Sequence, residues 1–119
     1  MQTANKVSQH KLTAASGEAV TSLRYVGDIS SASKEAVVGS YEALDRNTVK
    51  SILLDFKGVD YLNSSGIALV IQVLMEASKA GQKVAICGLT PHFTKVFTMV
   101  GITKYATLFA DEAAALAAL

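Results

Sequence analysis

The fold is decided by residues 51–67, which read SILLDFKGVDYLNSSGI. Residues 52–56 are almost wholly apolar, as is typical of strands that are covered on both faces in parallel sheets. A polar loop follows, and the SSG sequence at residues 64–66 opens a helix that we expect to run to about Ala80 and to end at Gly81. A buried strand that leads directly into a helix predicts an α/β fold.

The alternation of strand and helix continues downstream of this stretch. Residues 83–87 form a second compact apolar strand, and Thr90 and Pro91 then provide a helix start. Thr90 can cap the helix, and proline loses no hydrogen bond at the first helical position. We expect a last strand over residues 105–109 and a C-terminal helix over residues 111–119.

The upstream part of the chain predicts a hairpin and a further helix. Residues 1–15 are too polar for a central strand and suit an edge strand or a loose arm, whereas residues 19–26 alternate as a half-buried strand. The helix that follows has an apolar stripe at three- and four-residue spacing, formed by Val37, Tyr41 and Leu44. The fold is therefore predicted as α/β, with a mixed, mostly parallel sheet, an N-terminal hairpin and crossover helices.

Composition excludes several classes of protein. The 119 residues suit one domain, and their 50% apolar content excludes intrinsic disorder. A formal charge of +1 argues against a nucleic-acid binder that works through a basic field. The longest apolar stretch, residues 66–75, falls far short of the roughly 20 residues that span a bilayer. Residues 1–6 lack a secretion signal, so we expect a cytoplasmic protein without membrane insertion.

Two loops lie where the carboxyl ends of strands are expected, at residues 27–30 and 61–66, and such ends gather functional groups in open α/β sheets. The second loop holds Ser64 and Ser65 at the start of a helix. One interpretation is structural, because serine is a preferred helix cap. The other is a phosphorylation switch, in which a phosphate adds about −1.5 to −2 charges that the helix end tolerates and a packed partner does not.

The helix that begins at residue 64 is apolar nearly all round. Its predicted core stripe consists of Ile67, Val70, Ile71, Leu74 and Ala77. Four further apolar positions lie outside that stripe, namely Ala68, Leu69, Val73 and Met75. Such a helix is either deeply buried or meets a partner protein.

The residues give little support to a catalytic or a metal-binding function. His10 and His92 have no ligand-like neighbours at metal spacing, and Cys87 is the single cysteine, read as a small buried hydrophobe. Asp55 resembles a phosphoacceptor, but the acidic pair that would hold magnesium is reduced to Asp28. A serine hydrolase elbow would need a leading glycine and a histidine base, and neither is in place. We expect no catalytic residue, metal or cofactor.

The motif over residues 52–67 resembles the central motif of STAS domains, specifically of bacterial anti-sigma-factor antagonists, in which an apolar strand leads through ΦxSGVxΦxDSSG into a helix. The resemblance continues through residues 79–84, 89–91 and 96–102. It covers roughly residues 18–110. It implies a single STAS-type domain over residues 1–119.

The resemblance implies a protein-binding module rather than an enzyme. In the family, the unphosphorylated antagonist binds an anti-sigma factor that is also a serine kinase of the histidine-kinase-like ATPase fold, and the sigma factor is released. The kinase phosphorylates the serine that follows the motif's aspartate, and a metal-dependent phosphatase reverses this. By position that serine is Ser64, with Ser65 as the second choice.

Two residues depart from the family pattern. Asn63 replaces the motif's aspartate, and Ser30 replaces the second acidic residue of the early G-E-Φ-D loop, which falls on residues 27–30. Both changes remove a carboxylate from the neighbourhood of the predicted phosphosite. The partner-binding surface implied by the resemblance consists of Asp28, Ser30, Asn63, Ser64, Ser65, Gly66, Ala68, Gln72 and Met75.

A rival interpretation belongs to another class of protein. It is a stand-alone STAS subunit that docks on the ATPase of a membrane transporter and regulates it without phosphorylation. Asn63 and Ser30 favour this interpretation, whereas the intact SSG sequence at residues 64–66 favours the switch.

Overall fold

The computed structural model describes residues 5–119, so the first four residues of the predicted N-terminal arm lie outside the described part. Within that part, five strands form one sheet in the order in which they occur along the chain. They are β1 (Lys6–Thr13), β2 (Ala19–Val26), β3 (Ser51–Gly58), β4 (Lys83–Cys87) and β5 (Thr107–Phe109). β1 pairs with β2 antiparallel and the other neighbours pair parallel, which confirms the predicted mixed sheet with its hairpin.

The helical segments begin close to the positions that the sequence indicates. They are a 3-10 turn (Ser31–Ser33), a π-helical turn (Glu35–Gly39) that continues into α1 (Ser40–Glu42), α2 (Ser64–Lys79), α3 (Pro91–Met99), a 3-10 turn (Ile102–Lys104) and α4 (Glu112–Ala118). The first predicted helix is thus irregular, yet it buries the stripe of Val37, Tyr41 and Leu44 as expected. Thr90 caps α3 through a hydrogen bond from the Phe93 N–H to its side-chain oxygen.

The two faces of the sheet pack against different helices. Because side chains alternate along a strand, β3 sends Ile52, Leu54 and Phe56 into the main core with α2 and α3, and Leu53 into a smaller core on the other face. Ala115 of α4 belongs to that smaller core. β3 is therefore covered on both faces, as its apolar run indicates.

The last strand begins later than the sequence suggests. Tyr105 and Ala106 belong to a turn, because both of their N–H groups donate to the carbonyl oxygen of Ile102, at 2.9 and 3.1 Å. β5 starts only at Thr107 and comprises three residues. The prediction of a strand from residue 105 is wrong by two residues.

The parallel pairing of β2 with β3 positions the two loops of interest. Val26, the last residue of β2, is in register with Gly58, the last residue of β3. Residues 27–30 and 59–63 consequently leave the same edge of the sheet next to each other. The geometry of the candidate site depends on the contact between these two loops.

Candidate functional site

Backbone hydrogen bonds join the two loops to each other. The Gly27 N–H donates to the Gly58 carbonyl at 3.0 Å, and the Ile29 N–H donates to the Tyr61 carbonyl at 3.0 Å. The Asn63 N–H returns to the Ile29 carbonyl at 3.1 Å, which completes a short parallel bridge. The loops therefore form one continuous surface at the carboxyl edge of the sheet.

Gly66 allows this close approach. A β-carbon at position 66 would lie 2.3 Å from the carbonyl oxygen of Ile29, a distance that no side chain tolerates. Gly66 is buried against that loop. Its position serves the packing of the two loops.

Asn63 caps α2. Its backbone is extended, and its Oδ1 accepts the N–H of Gly66 at 2.8 Å, while its carbonyl oxygen accepts the N–H of Ile67 at 2.9 Å. The structural interpretation of Ser64 as the helix cap is thus wrong. Among the N–H groups that open α2, those of Ser64 and Ser65 are left for solvent or an anion, within the described residues 5–119.

Ser64 and Ser65 are the first two residues of α2, and both are exposed. The hydroxyls lie at the positive end of the helix dipole. A phosphate at this place would be stabilised by the helix itself. The position is also accessible to a modifying enzyme.

The outward face of α2 extends from these serines. Ala68, Gln72 and Met75 follow Ser64 at spacings of four, four and three residues, and all three are exposed, with Met75 at 44%. We call the exposed set, made of Asp28, Ser64, Ser65, Ala68, Gln72 and Met75, the serine surface. It is polar around the serines and apolar toward Met75.

The inward face of α2 differs in part from the predicted stripe. Val73 is fully buried although it was assigned outside the stripe, whereas Ile67 and Ile71 are only partly buried. The reason is that α2 packs with Val70, Val73, Leu74 and Ala77 toward the sheet, which rotates the buried arc of the helix. Ile67 and Ile71 pack at the edge of the main core.

Ser30 has a local structural task in the first loop. Its hydroxyl accepts the N–H of Ala32 at 3.3 Å, and its own N–H donates to the Ser33 hydroxyl at 3.0 Å, which is a capping box for the 3-10 turn. Ser30 is half-buried, whereas Asp28 is exposed. Asp28 is therefore the acidic side chain that this loop exposes on the surface.

Two side chains at this edge were missed by the sequence argument. Tyr61 is 54% exposed and packs edge-to-face against Phe93, with ring centroids 5.9 Å apart. Tyrosine is enriched at interface hot spots, so the tyrosine in the second loop was a signal from which the sequence could have indicated this residue. Asn5, the residue before β1, contacts the first loop. No feature of the sequence indicates that contact.

Three other residues considered from the sequence lie on the α4 side of the sheet, namely Asp55, Cys87 and His10. Each of them is buried or hydrogen-bonded within the protein. Asp55 accepts the Lys57 N–H at 2.9 Å and lies 3.8 Å from the guanidinium of Arg24. Burial, together with the Asp55 carboxylate, raises the pKa of the Cys87 thiol to about 12, so the thiol is an unreactive core group. His10 shares a hydrogen bond of 2.8 Å with Ser8.

Two features are absent from the described residues 5–119, a cluster of metal ligands and a membrane-spanning helix. Among residues 5–119, no group of three or more His, Cys, Asp or Glu side chains is arranged to hold a metal ion. In the same range, no helix has the length and apolar character needed to cross a membrane.

The fold and the motif identify the family. The family model described as STAS domain matches residues 11–115, so the chain belongs to the STAS domain family. The resemblance seen in the sequence is thereby confirmed.

Individual relatives agree with this assignment. The anti-sigma F factor antagonist of Paenibacillus polymyxa is 26% identical over 78 residues, which cover 66% of this chain and 67% of that protein. The anti-sigma factor antagonist SpoIIAA in its unphosphorylated form superposes with a TM-score of 0.65 at 17% identity, over 87% of each chain. The phosphorylated form of Bacillus SpoIIAA, a cell fate determinant, gives a TM-score of 0.65 at 18% identity, over 90% of this chain and 94% of that chain. These superpositions show a shared fold.

Proposed function

We propose that this chain is an anti-sigma-factor antagonist of a partner-switching circuit, a binding protein without enzymatic activity or cofactor of its own. In its unphosphorylated form it binds an anti-sigma factor that is also a serine kinase of the histidine-kinase-like ATPase fold. Phosphorylation at Ser64 releases it. The observation that carries the proposal is the exposed Ser64 hydroxyl at the first position of α2, in a turn that Asn63 caps.

The switch follows from charge at the start of the helix. A phosphate on Ser64 adds about −1.5 to −2 charges, which the N–H groups of Ser64 and Ser65 and the helix dipole stabilise. A partner packed on the same spot would have to bury that charge without a matching cation. The phosphate therefore leaves the fold intact and opposes docking.

The docking area is the serine surface. Asp28 supplies its carboxylate, and Met75 supplies an exposed apolar side chain at its far end. Asn63 and Ser30 border the area and shape its two loops, and Gly66 lets those loops close on each other. Tyr61 extends the area toward α3 as an aromatic contact.

Asn63 and Ser30 are neutral where the family motif has carboxylates. Fewer negative charges around Ser64 reduce the repulsion of an incoming phosphate. The electrostatics of this edge therefore permit phosphorylation, and the two neutral residues bear on which kinase recognises the turn. A metal-dependent serine phosphatase completes the proposed cycle.

Phosphate mapping tests the proposal. The protein is incubated with its cognate kinase and ATP, with Ser64→Ala and Ser65→Ala as matched variants, and phosphorylated peptides are identified by mass spectrometry. We expect one phosphate at Ser64, lost in Ser64→Ala and retained in Ser65→Ala. Phosphate at neither serine would exclude the switch.

A second candidate function is favoured by the same two neutral residues. A STAS subunit that regulates a membrane transporter through its ATPase would need no carboxylate at positions 30 and 63, because it is not phosphorylated. A pull-down from the native cell with wild type and Ser64→Asp separates the two functions. Recovery of a transporter ATPase by both proteins would favour the transporter subunit, and recovery of a kinase-like ATPase by wild type alone would favour the antagonist.

A further inference from the structure

Asn5 binds the first loop of the candidate site from outside the sheet. It immediately precedes β1, and its Nδ2 donates to the Asp28 carbonyl at 2.8 Å and to the Val26 carbonyl at 3.3 Å. Its Oδ1 accepts a hydrogen bond from the Ser33 hydroxyl. One side-chain amide thus connects the end of β2, the loop and the 3-10 turn that follows.

Gly27 provides the space for this amide. Its φ of +98° lies in the left-handed region, and a β-carbon there would lie 3.2 Å from Asn5 Nδ2. The amide therefore fits against the backbone at the bend of the loop. Because β1 is held along β2 by antiparallel pairing from Lys6 onward, Asn5 is held next to the first residue of a regular strand.

The loop consequently has two attachments. On one side its backbone is bonded to residues 58–63, through Gly27 and Ile29. On the other side Asn5 bonds the carbonyl of Asp28, the residue whose exposed carboxylate belongs to the serine surface. The position of that carboxylate relative to Ser64 depends on both attachments.

We infer that Asn5 is a positioning residue for partner binding: its amide fixes the loop over residues 26–33 and thereby holds Asp28 in the orientation that a partner meets. The part of the inference that concerns partner binding rests on the proposed function. The fixing of the loop itself is a property of the free protein. The two parts are measured separately.

The first measurement is amide hydrogen exchange in the free protein, with Asn5→Ala compared with wild type. We expect exchange at Gly27 and Ile29 to become at least about fivefold faster, because local opening of the loop loses the amide's hydrogen bonds. Amides of β3, such as Leu54, should exchange at unchanged rates. Asn47→Ala is the control, since Asn47 is exposed in the loop that leads to the amino end of β3.

The second measurement is a calorimetric titration of the anti-sigma factor with the same variants. Asn5→Ala should weaken binding about three- to tenfold, and Asn47→Ala should leave the Kd unchanged. Asn5→Asp separates the roles of the amide, since it keeps an acceptor for Ser33 and loses both donors. We expect Asn5→Asp to behave like Asn5→Ala in both measurements.

Unchanged exchange at Gly27 and Ile29 in Asn5→Ala, or wild-type behaviour of Asn5→Asp, would overturn the fixing of the loop. Faster exchange with an unchanged Kd would overturn the positioning role. If wild type itself fails to bind the anti-sigma factor, the proposed function is wrong, and the exchange rates alone decide whether Asn5 holds the loop.

Discussion

Two polar regions lie at the carboxyl edge of the sheet, one on each side, and they differ in how their polar groups are used. In the serine surface, the hydroxyls of Ser64 and Ser65 are exposed at the start of α2. On the α4 side, Arg24, Asp55 and Glu112 form an ionic cluster, with Arg24 2.8 Å from Glu112 and 3.8 Å from Asp55. A cleft of about 540 Å³ borders that cluster.

The difference shows that a polar residue at the carboxyl edge of the sheet is not by that position alone part of a binding site. Arg24 pairs with both carboxylates of the ionic cluster, and its hydrogen bonds to Glu112 attach α4 to the sheet. In the serine surface, the backbones of the two loops hydrogen-bond to each other, and Ser64 and Ser65, whose hydroxyls suit a phosphate, are exposed. We therefore assign stability to the ionic cluster and propose partner binding for the serine surface.

The largest effect is expected where the serine surface depends on close packing. Gly66→Ala should lower the free energy of unfolding by about 2–3 kcal/mol, because the new methyl group would push the Ile29 carbonyl away. Urea denaturation measures this. Gly39→Ala is the matched control, since its methyl group would meet only the flexible Glu35 carboxylate, and its stability should be unchanged or raised by up to about 1 kcal/mol. Equal stability of the two variants would contradict the packing role of Gly66.

The ionic cluster should respond in stability and not in binding. Arg24→Met leaves the nearly buried Asp55 without its counter-ion, so we expect a loss of about 1–2 kcal/mol in the free energy of unfolding and an unchanged Kd for the partner. Lys83→Met removes an exposed ion pair with Glu18 and should leave the free energy of unfolding unchanged within the error of the measurement. A weaker Kd for Arg24→Met would mean that the two regions are not separate.

The cap of α2 should have an intermediate effect. Asn63→Ala removes the acceptor for the Gly66 N–H, and we expect thermal or urea unfolding to show a loss of about 1 kcal/mol. A loss below the error of the measurement would indicate that another group caps the helix.

The smallest effect on stability is expected for Asn63→Asp, which restores the carboxylate of the family motif. Aspartate caps a helix as well as asparagine does, so the free energy of unfolding should change by less than about 0.5 kcal/mol. The rate of phosphorylation at Ser64 by the kinase is the second readout. A rate that differs from wild type would show that Asn63 contributes to recognition, and an equal rate would show that the kinase reads other residues.

The sequence predicted the parts of the fold that local patterns determine. The apolar run at Ile52–Phe56 and the threonine–proline start at residue 90 each correspond to an element that begins where it was expected. Alternation along β2 likewise predicted its two faces, and Leu23 and Tyr25 lie in the main core. These features depend on neighbours within a few residues, which a single sequence displays.

Features that depend on contacts distant in sequence were not predictable. The burial of Val73 depends on the rotation of α2 over the sheet, and the role of Gly66 depends on Ile29, 37 positions earlier by numbering (66 − 29). The contact of Asn5 with Asp28 spans 23 residues. Such contacts follow from the assembled sheet and leave no periodic signal in the chain.

The central claim is that an anion at Ser64 decides whether the partner docks, and one titration tests it. The anti-sigma factor is titrated calorimetrically with wild type, Ser64→Ala and Ser64→Asp, with Ser78→Asp as a control near the far end of the same helix. We expect Ser64→Asp to bind at least about tenfold more weakly while its stability is retained, because a carboxylate at a helix start is stabilising. Ser64→Ala should stay within about threefold of wild type. Equal affinities of wild type and Ser64→Asp would contradict the account.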